Sequence, residues 1–439
     1  KLNESQSQAV QAILSDELVS IVHGPPGTGK TTVLTEATLQ LKKANKRVLA
    51  CAPSNAAVDH LTEQLLSKGL NVLRIGNPSK VSEELKTSTL NEKIKSHDQY
   101  KLTKTLQKQA DDFRKMSRQY KRQFGKEERM QRNALRKEVK KIQYEIKQIE
   151  RHIRQTIIEQ ADVITGTIIG SYKSWNKEDL FDTVILDEAG QALPTDTWVC
   201  ASMGKKLVLA GDPFQLPPTI FSDEAAQKGL NISLIEHWIG RNNPSHLLKV
   251  QYRMNHLIAH YSNEFFYNGE VKSHETNANH VLENDPFEAI EFIDTAGCDY
   301  TEELLEQGSI INQGEASLVE KLITNYSDKN IGIISPYRGQ VYHLQTLLKG
   351  ISNKNINTID SFQGQEREVI IVSMVRSNNE QVIGFLKDYR RMNVAMTRAQ
   401  KKLVLIGDSA TLGSDKFYLK LLDFLEKNGS YRSAWEFMD

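Results

Sequence analysis

Short runs of consecutive apolar residues alternate along this chain with longer stretches in which apolar residues recur every three or four positions. The runs Leu18–Val22, Arg47–Ala50, Val163–Thr165, Thr183–Leu186 and Leu207–Ala210 form one series. Ile331–Ile334, Ile356–Thr358, Val369–Met374 and Leu403–Ile406 form a second. Near-continuous apolar strands separated by helices are what parallel sheets covered on both faces require. The pattern therefore predicts an α/β protein with two parallel sheets. Arg241–Ser245, carrying Asn242, Asn243 and Pro244, reads as the linker between them. This assigns residues 1–81 and 159–241 to a first domain and 246–439 to a second.

Residues 82–158 interrupt the first series and hold almost no Gly or Pro. Val139, Ile142, Ile146, Ile149 and Ile153 follow a 3-4-3-4 spacing, and Leu102, Leu106, Phe113, Tyr120 and Phe124 trace a looser stripe. Two long amphipathic helices joined near Gly125 and packed as an antiparallel hairpin fit this pattern.

A length of 439 residues suits two or three domains of roughly 150 residues each. The formal net charge of +1 conceals a strong asymmetry. Residues 86–154 hold 21 Lys and Arg against 9 Asp and Glu, while the remainder holds 35 against 46. A basic insert on an acidic body points to a polyanion partner, and a basic arm that touches phosphates is one reading of it. A solvated hairpin whose charges only keep it soluble is the other. Cys51, Cys200 and Cys298 lie far apart and form no CxxC pair, which argues against a zinc ribbon or disulfide framework. No apolar run approaches the ~20 residues of a membrane span, and no signal peptide is visible. A cytoplasmic protein, or a nuclear one in a eukaryote, is expected, without a membrane partner. The first residue is Lys, so the chain is expected to be a piece of a longer protein or a trimmed form.

Gly24-Pro25-Pro26-Gly27-Thr28-Gly29-Lys30-Thr31 is a full P-loop pattern between an apolar strand and a helix opening at Thr31 or Thr32. Its backbone N–H groups can cradle phosphates, helped by the helix N-terminus. Lys30 should reach the β- and γ-phosphates of ATP, and Thr31 should place its hydroxyl on Mg²⁺. Thr183–Leu186 ends in Asp187 and Glu188, so Asp187 can hold Mg²⁺ and Glu188 can deprotonate the attacking water.

The order of the remaining motifs resembles superfamily 1 helicases of the up-frameshift-like branch, most nearly the immunoglobulin mu-binding protein 2 type. The likeness covers nearly the whole chain, the basic insert least securely. It implies two tandem RecA-like P-loop domains. Leu2-Asn3-Glu4-Ser5-Gln6 resembles the Q motif, whose Gln6 would read adenine through a bidentate amide. Ala52-Pro53-Ser54-Asn55 resembles motif Ia, and Pro53, Ser54 and Asn55 would contact a nucleic-acid backbone, joined by Thr165 and Thr167 after the next strand. Gly211-Asp212-Pro213-Phe214-Gln215 resembles motif III, with Gln215 sensing the γ-phosphate. Gln251-Tyr252-Arg253-Met254 resembles motif IV, where Tyr252 would stack on adenine and Arg253 would reach the γ-phosphate. Ser335-Pro336-Tyr337 resembles a strand-contacting loop through Pro336 and Tyr337. Thr358–Glu366 resembles motif V, with Gln363 and Gly364 near the γ-phosphate, Glu366 near the ribose and Thr358 on the nucleic acid. Asn393–Ala399 resembles motif VI, with Arg398 as a second arginine finger. Arg390 and Arg391 read as surface or structural charges.

The resemblance implies a monomeric, ATP-driven helicase or translocase running 5′→3′ on single-stranded DNA or RNA. Members of this branch carry a small β-barrel ahead of the Q motif, whereas here a single residue precedes Leu2. A nucleic-acid-stimulated ATPase that remodels ribonucleoproteins with little unwinding is the alternative. A nucleotide-dependent scaffold without turnover would not need Lys30, Asp187, Glu188, Arg253 and Arg398 together.

Overall fold

The computed structural model describes residues 1–119, 125–175, 179–326, 328–351 and 354–438. Seven strands form the first sheet: β1 (Val19–His23), β2 (Val48–Ala52), β3 (Val72–Arg74), β4 (Val163–Thr167), β5 (Phe181–Leu186), β6 (Gly204–Gly211) and β7 (His246–Leu247). They lie in the order β3-β4-β2-β5-β6-β1-β7, with every pairing parallel. Successive residues face opposite layers. Val48, Ala50 and Ile185 join one core while Leu49, Cys51 and Leu186 join the other. This two-sided burial is why the strands read as unbroken apolar runs.

Beyond the first sheet, β8 (Val250–Gln251) pairs with β9 (Lys272–Ser273). The second sheet is built from β10 (Ile290–Asp294), β13 (Ile331–Ser335), β14 (Lys354–Thr358), β15 (Arg367–Ser373), β16 (Ala399–Gly407) and β17 (Ser430–Ser433). Its order is β14-β13-β15-β16-β10-β17, again parallel, and a hairpin of β11 (Glu303–Leu304) and β12 (Ile310–Ile311) stands apart. Leu403 and Leu405 face one layer, Val404 and Ile406 the other.

The expected linker at Arg241–Ser245 is displaced. His246 and Leu247 pair with Val22 and His23, so this short strand closes the edge of the first sheet and the crossing follows it. Asn-Asn-Pro marks the turn into that edge strand rather than the domain boundary.

The insert is helical, with α1 (Leu90–Ser96), α2 (Tyr100–Arg118) and α3 (Lys126–Gln160). Ile153 and Ile157 of α3 enter the first domain's core, whereas Ile142 and Ile146 form a separate small core with Ala110, Leu106 and Phe113 of α2. Tyr120 and Phe124 of the looser stripe lie outside the described residues. Among the described residues no helix is long and apolar enough to cross a membrane.

Candidate functional site: a cleft shared by two domains

The chain leaves β1 at His23, turns through Gly24–Gly29 and enters the helix Lys30–Lys43, one residue earlier than expected. Gly27 sits at φ +73°, and a Cβ there would lie 2.6 Å from the Cβ of Arg253 in the second domain. Only glycine allows that backbone and that approach. Gln6 is buried beneath the loop. Its Nε2 donates to Thr28 O at 3.0 Å and its Oε1 accepts from Asn3 N–H at 3.1 Å. The expected adenine reader thus braces the phosphate loop, with one amino hydrogen and one carbonyl lone pair left over.

Lys30 Nζ lies 2.6 Å from Glu188 Oε1 and 3.1 Å from Asp187 Oδ1. Burial opposes the lysine's charge, but the two carboxylates outweigh it and hold its pKa above the ordinary value. Burial also pushes Asp187 upward, whereas for Glu188 the neighbouring Lys30 overcomes burial and keeps the carboxyl below its usual range. Glu188 itself takes the left-handed conformation at φ +53°. Strain of this kind in a non-glycine residue persists only where its surroundings fix it, and it gathers at functional sites. Gln191 Nε2 secures the side chain at 3.1 Å.

The second domain supplies the opposite wall. Tyr252 N–H donates to Gly27 O at 2.8 Å, its hydroxyl accepts from Asn3 Nδ2 at 2.9 Å, and its half-exposed ring rests 4.7 Å from that of His274. Arg253 pairs with Glu366, which also accepts from Gln400 Nε2 at 2.8 Å. Burial notwithstanding, Arg253 and Gln400 hold the Glu366 carboxyl below its usual range. Arg398 is buried and donates to Val394 O at 2.9 Å, Thr397 Oγ1 at 3.2 Å and Gln365 O at 3.4 Å, all neutral acceptors. Burial and the adjacent Arg253 cation lower its pKa to about 9.

These groups enclose a cleft of about 270 Å³ lined by Gly24 through Thr31, Glu188, Gln215, Tyr252, Arg253, Gly364, Glu366 and Arg398. Three cations therefore face one small polar cavity from two domains, which suits a polyphosphate. Gln6, Thr32, Asp187 and Gln363 do not line it. His60 does, and no motif announced it.

Behind the cleft, Asp212 is buried and collects four donors. They are His23 Nε2 at 3.2 Å, Phe214 N–H at 3.0 Å, Gln215 Nε2 at 2.9 Å and the Tyr267 hydroxyl at 2.7 Å. Tyr267 belongs to the second domain, as does Asn393, whose Nδ2 donates to Phe214 O at 2.8 Å. Motif III is thus tied across the interface by buried hydrogen bonds. Tyr267→Phe keeps the ring and removes the bridge. It is expected to lower kcat several-fold with little change in KM, because a buried charged acceptor loses about 1.5–3 kcal/mol of hydrogen bonding. Unchanged steady-state kinetics would show that the bridge does not position Gln215.

The expected nucleic-acid contacts divide. Ser54 stands exposed at the C-terminal end of β2, and its hydroxyl caps the next helix by accepting from Ala57 N–H at 3.2 Å. Asn55 and Pro53 are half-buried there, Asn55 accepting from Arg74 Nη2 at 3.1 Å. Thr167 ends β4, and Pro336 and Thr358 occupy the matching ends of β13 and β14, all half-buried. Two residues do not reach the surface. Thr165 is fully buried and shares a hydrogen bond with Thr62 at 2.8 Å, and Tyr337 is only 3% exposed. Thr165 sits in mid-strand, where both faces of β4 are covered, whereas Thr167 on the same face reaches the strand's end. Tyr337 is held by its hydroxyl against the loop before the helix Tyr389–Met396. Arg390 bridges to Glu236 of the first domain at 3.2 Å, and Arg391 lies 3.6 Å from Asp360, so both are structural charges.

Two family models, each described as an AAA domain, match residues 1–223 and 230–410. The DNA-binding protein SMUBP-2 of Rattus norvegicus is 35% identical, covering 100% of this chain and 46% of that protein. The ATP-dependent helicase MJ0104 of Methanocaldococcus jannaschii is 35% identical over 96% of this chain and 70% of its own length. The Regulator of nonsense transcripts 1 homolog of Neurospora crassa is 33% identical over 96% of this chain and 38% of its own. The chain spans about half the length of SMUBP-2. With two α/β domains, a P-loop cleft closed by arginines from the second, and these relatives, the chain belongs to the ATP-dependent superfamily 1B helicases of the up-frameshift and SMUBP-2 type.

Proposed function

We propose that the chain is an ATP-driven motor that moves 5′→3′ along single-stranded DNA or RNA and separates duplexes. One observation supports this above the others. Lys30 and Glu188 from the first domain and Arg253 and Arg398 from the second converge on a single cleft, with Asp187 paired to Lys30 behind it.

ATP entering this cleft presents its β- and γ-phosphates to Lys30, which exchanges its carboxylate partners for phosphate oxygens. Freed from Lys30, Glu188 orients the attacking water and accepts its proton. The oxygen donors of Thr31 and Asp187 suit Mg²⁺, which needs few protein ligands and keeps several waters. Bound there, Mg²⁺ would neutralise phosphate charge. Arg253 and Arg398 stabilise charge developing on the transferred group from the opposite wall, and Gln215 reports it to motif III. Attack of the water breaks the β–γ bridge and leaves ADP and inorganic phosphate; departure of that phosphate removes the anion that held three cations together across the interface, and the domains part.

The grip on the strand would come from Ser54, Asn55 and Thr167 on the first domain and Pro336 and Thr358 on the second. Contacts of this kind address the backbone and read little sequence. The helix α3, whose end leads into β4, carries exposed Lys140, Lys141 and Lys147. Replacing these three by alanine should weaken binding and reduce the salt slope by about one for each phosphate that is no longer neutralised. An unchanged slope would make the hairpin merely solvated.

The decisive experiment compares ATP turnover with single-stranded DNA, with single-stranded RNA and with neither, then follows strand release from duplexes bearing a 5′ or a 3′ tail. Stimulated turnover with release only from 5′-tailed duplexes supports the full reading. Stimulated turnover without release would leave a ribonucleoprotein remodeller.

A further inference from the structure

The loop expected to contact nucleic acid through Tyr337 hides that tyrosine, and a ring from another segment is displayed over it. Phe385 is 61% exposed and its ring centroid lies 5.5 Å from that of Tyr337. The loop that presents it is tightly built. Ile383 and Leu386 on either side of the exposed ring are 2% and 3% exposed and anchor in the core. Phe385 N–H donates to the Tyr337 hydroxyl at 3.3 Å. Gly384 adopts φ +54°, and a Cβ there would lie 2.7 Å from that hydroxyl, so the turn closes against Tyr337 only with glycine. Holding an apolar ring in water on a fixed backbone gains the fold nothing by burial. The ring rests against Tyr337, which follows Pro336 at the C-terminal end of β13, and Thr358 stands at the same end of β14. Exposed Arg338 and Lys387 flank it and supply positive charge for a polyanion.

We propose that Phe385 is a base-stacking platform for a single strand lying across the second domain, an inference that rests on the motor reading above. Every nucleobase offers a π-face, so the contact would be tolerant of sequence. It would also brake the strand while the first domain moves, a task that phosphate contacts alone perform poorly.

The test uses the whole chain and a labelled thymidine oligonucleotide of about twenty residues, beside one of equal length and charge built from abasic sites. Binding is read by fluorescence anisotropy, and ATP turnover without nucleic acid reports folding. Wild type should prefer the normal strand. Phe385→Ala should weaken binding to it roughly tenfold, leave the abasic strand unaffected and abolish the preference, while Phe385→Trp should restore it. Equal losses on both strands, or a variant that keeps the wild-type preference, would overturn the assignment. Failure of wild type to bind either strand would instead overturn the motor reading on which it rests.

Discussion

Replacing Lys30 with alanine is expected to reduce ATP turnover by at least about a thousandfold, with or without nucleic acid. The ammonium is the group of the first domain that meets the phosphates, and here it already neutralises Asp187 at 3.1 Å and Glu188 at 2.6 Å. Its loss has two consequences. The phosphates lose a cation inside a water-poor cleft, where charge is worth most. The two carboxylates, left adjacent and uncompensated, repel the incoming polyanion and one of them takes up a proton. ATP binding by equilibrium dialysis and turnover by phosphate release should therefore both fall. A variant that retains a tenth of wild-type turnover would refute the P-loop assignment.

Arg398→Ala should cost roughly a thousandfold in kcat while leaving ATP binding largely intact. The residue belongs to the second domain, so it acts on the transition state only when the cleft is shut. Its guanidinium is held by Val394 O, Thr397 Oγ1 and Gln365 O, a fork that a lysine cannot reproduce. Arg398→Lys should consequently recover the charge and little of the rate. Because Arg398 is buried, thermal unfolding should be compared alongside. Near-normal kcat in a folded Arg398→Ala protein would contradict its role as a finger.

Much of the phosphate site was legible in the sequence because its chemistry demands fixed residues at fixed spacing. A loop that cradles phosphates with its backbone needs glycines next to a lysine, and a strand must end in acid to face it. The long strands were legible because burial on both faces leaves an unbroken apolar run. What was not legible depends on partners distant in the chain. The strand Ile290–Asp294 looks amphipathic, yet Glu291 is 1% exposed because Lys402 and Arg432 reach it from elsewhere at 2.8 and 3.1 Å. Thr165 and Tyr337 carried suitable chemistry in suitable motifs, but local sequence does not say which side of a strand or loop faces water. The bracing of Gln6 against Thr28, and the bridge from Tyr267 to Asp212, join residues 22 and 55 positions apart. No periodicity records either pairing.

A triphosphate wedged between the two domains should hold them together, and its cleavage should release them. The most direct test is the distance between dyes on the two domains, placed at exposed Lys43→Cys and Lys349→Cys. The native Cys51, Cys200 and Cys298 are buried and will not compete for label. Energy transfer should be high and narrowly distributed with a non-hydrolysable ATP analogue, and should become lower and broader with ADP. Identical distributions in the two nucleotides, in a protein that still hydrolyses ATP, would contradict nucleotide-gated closure.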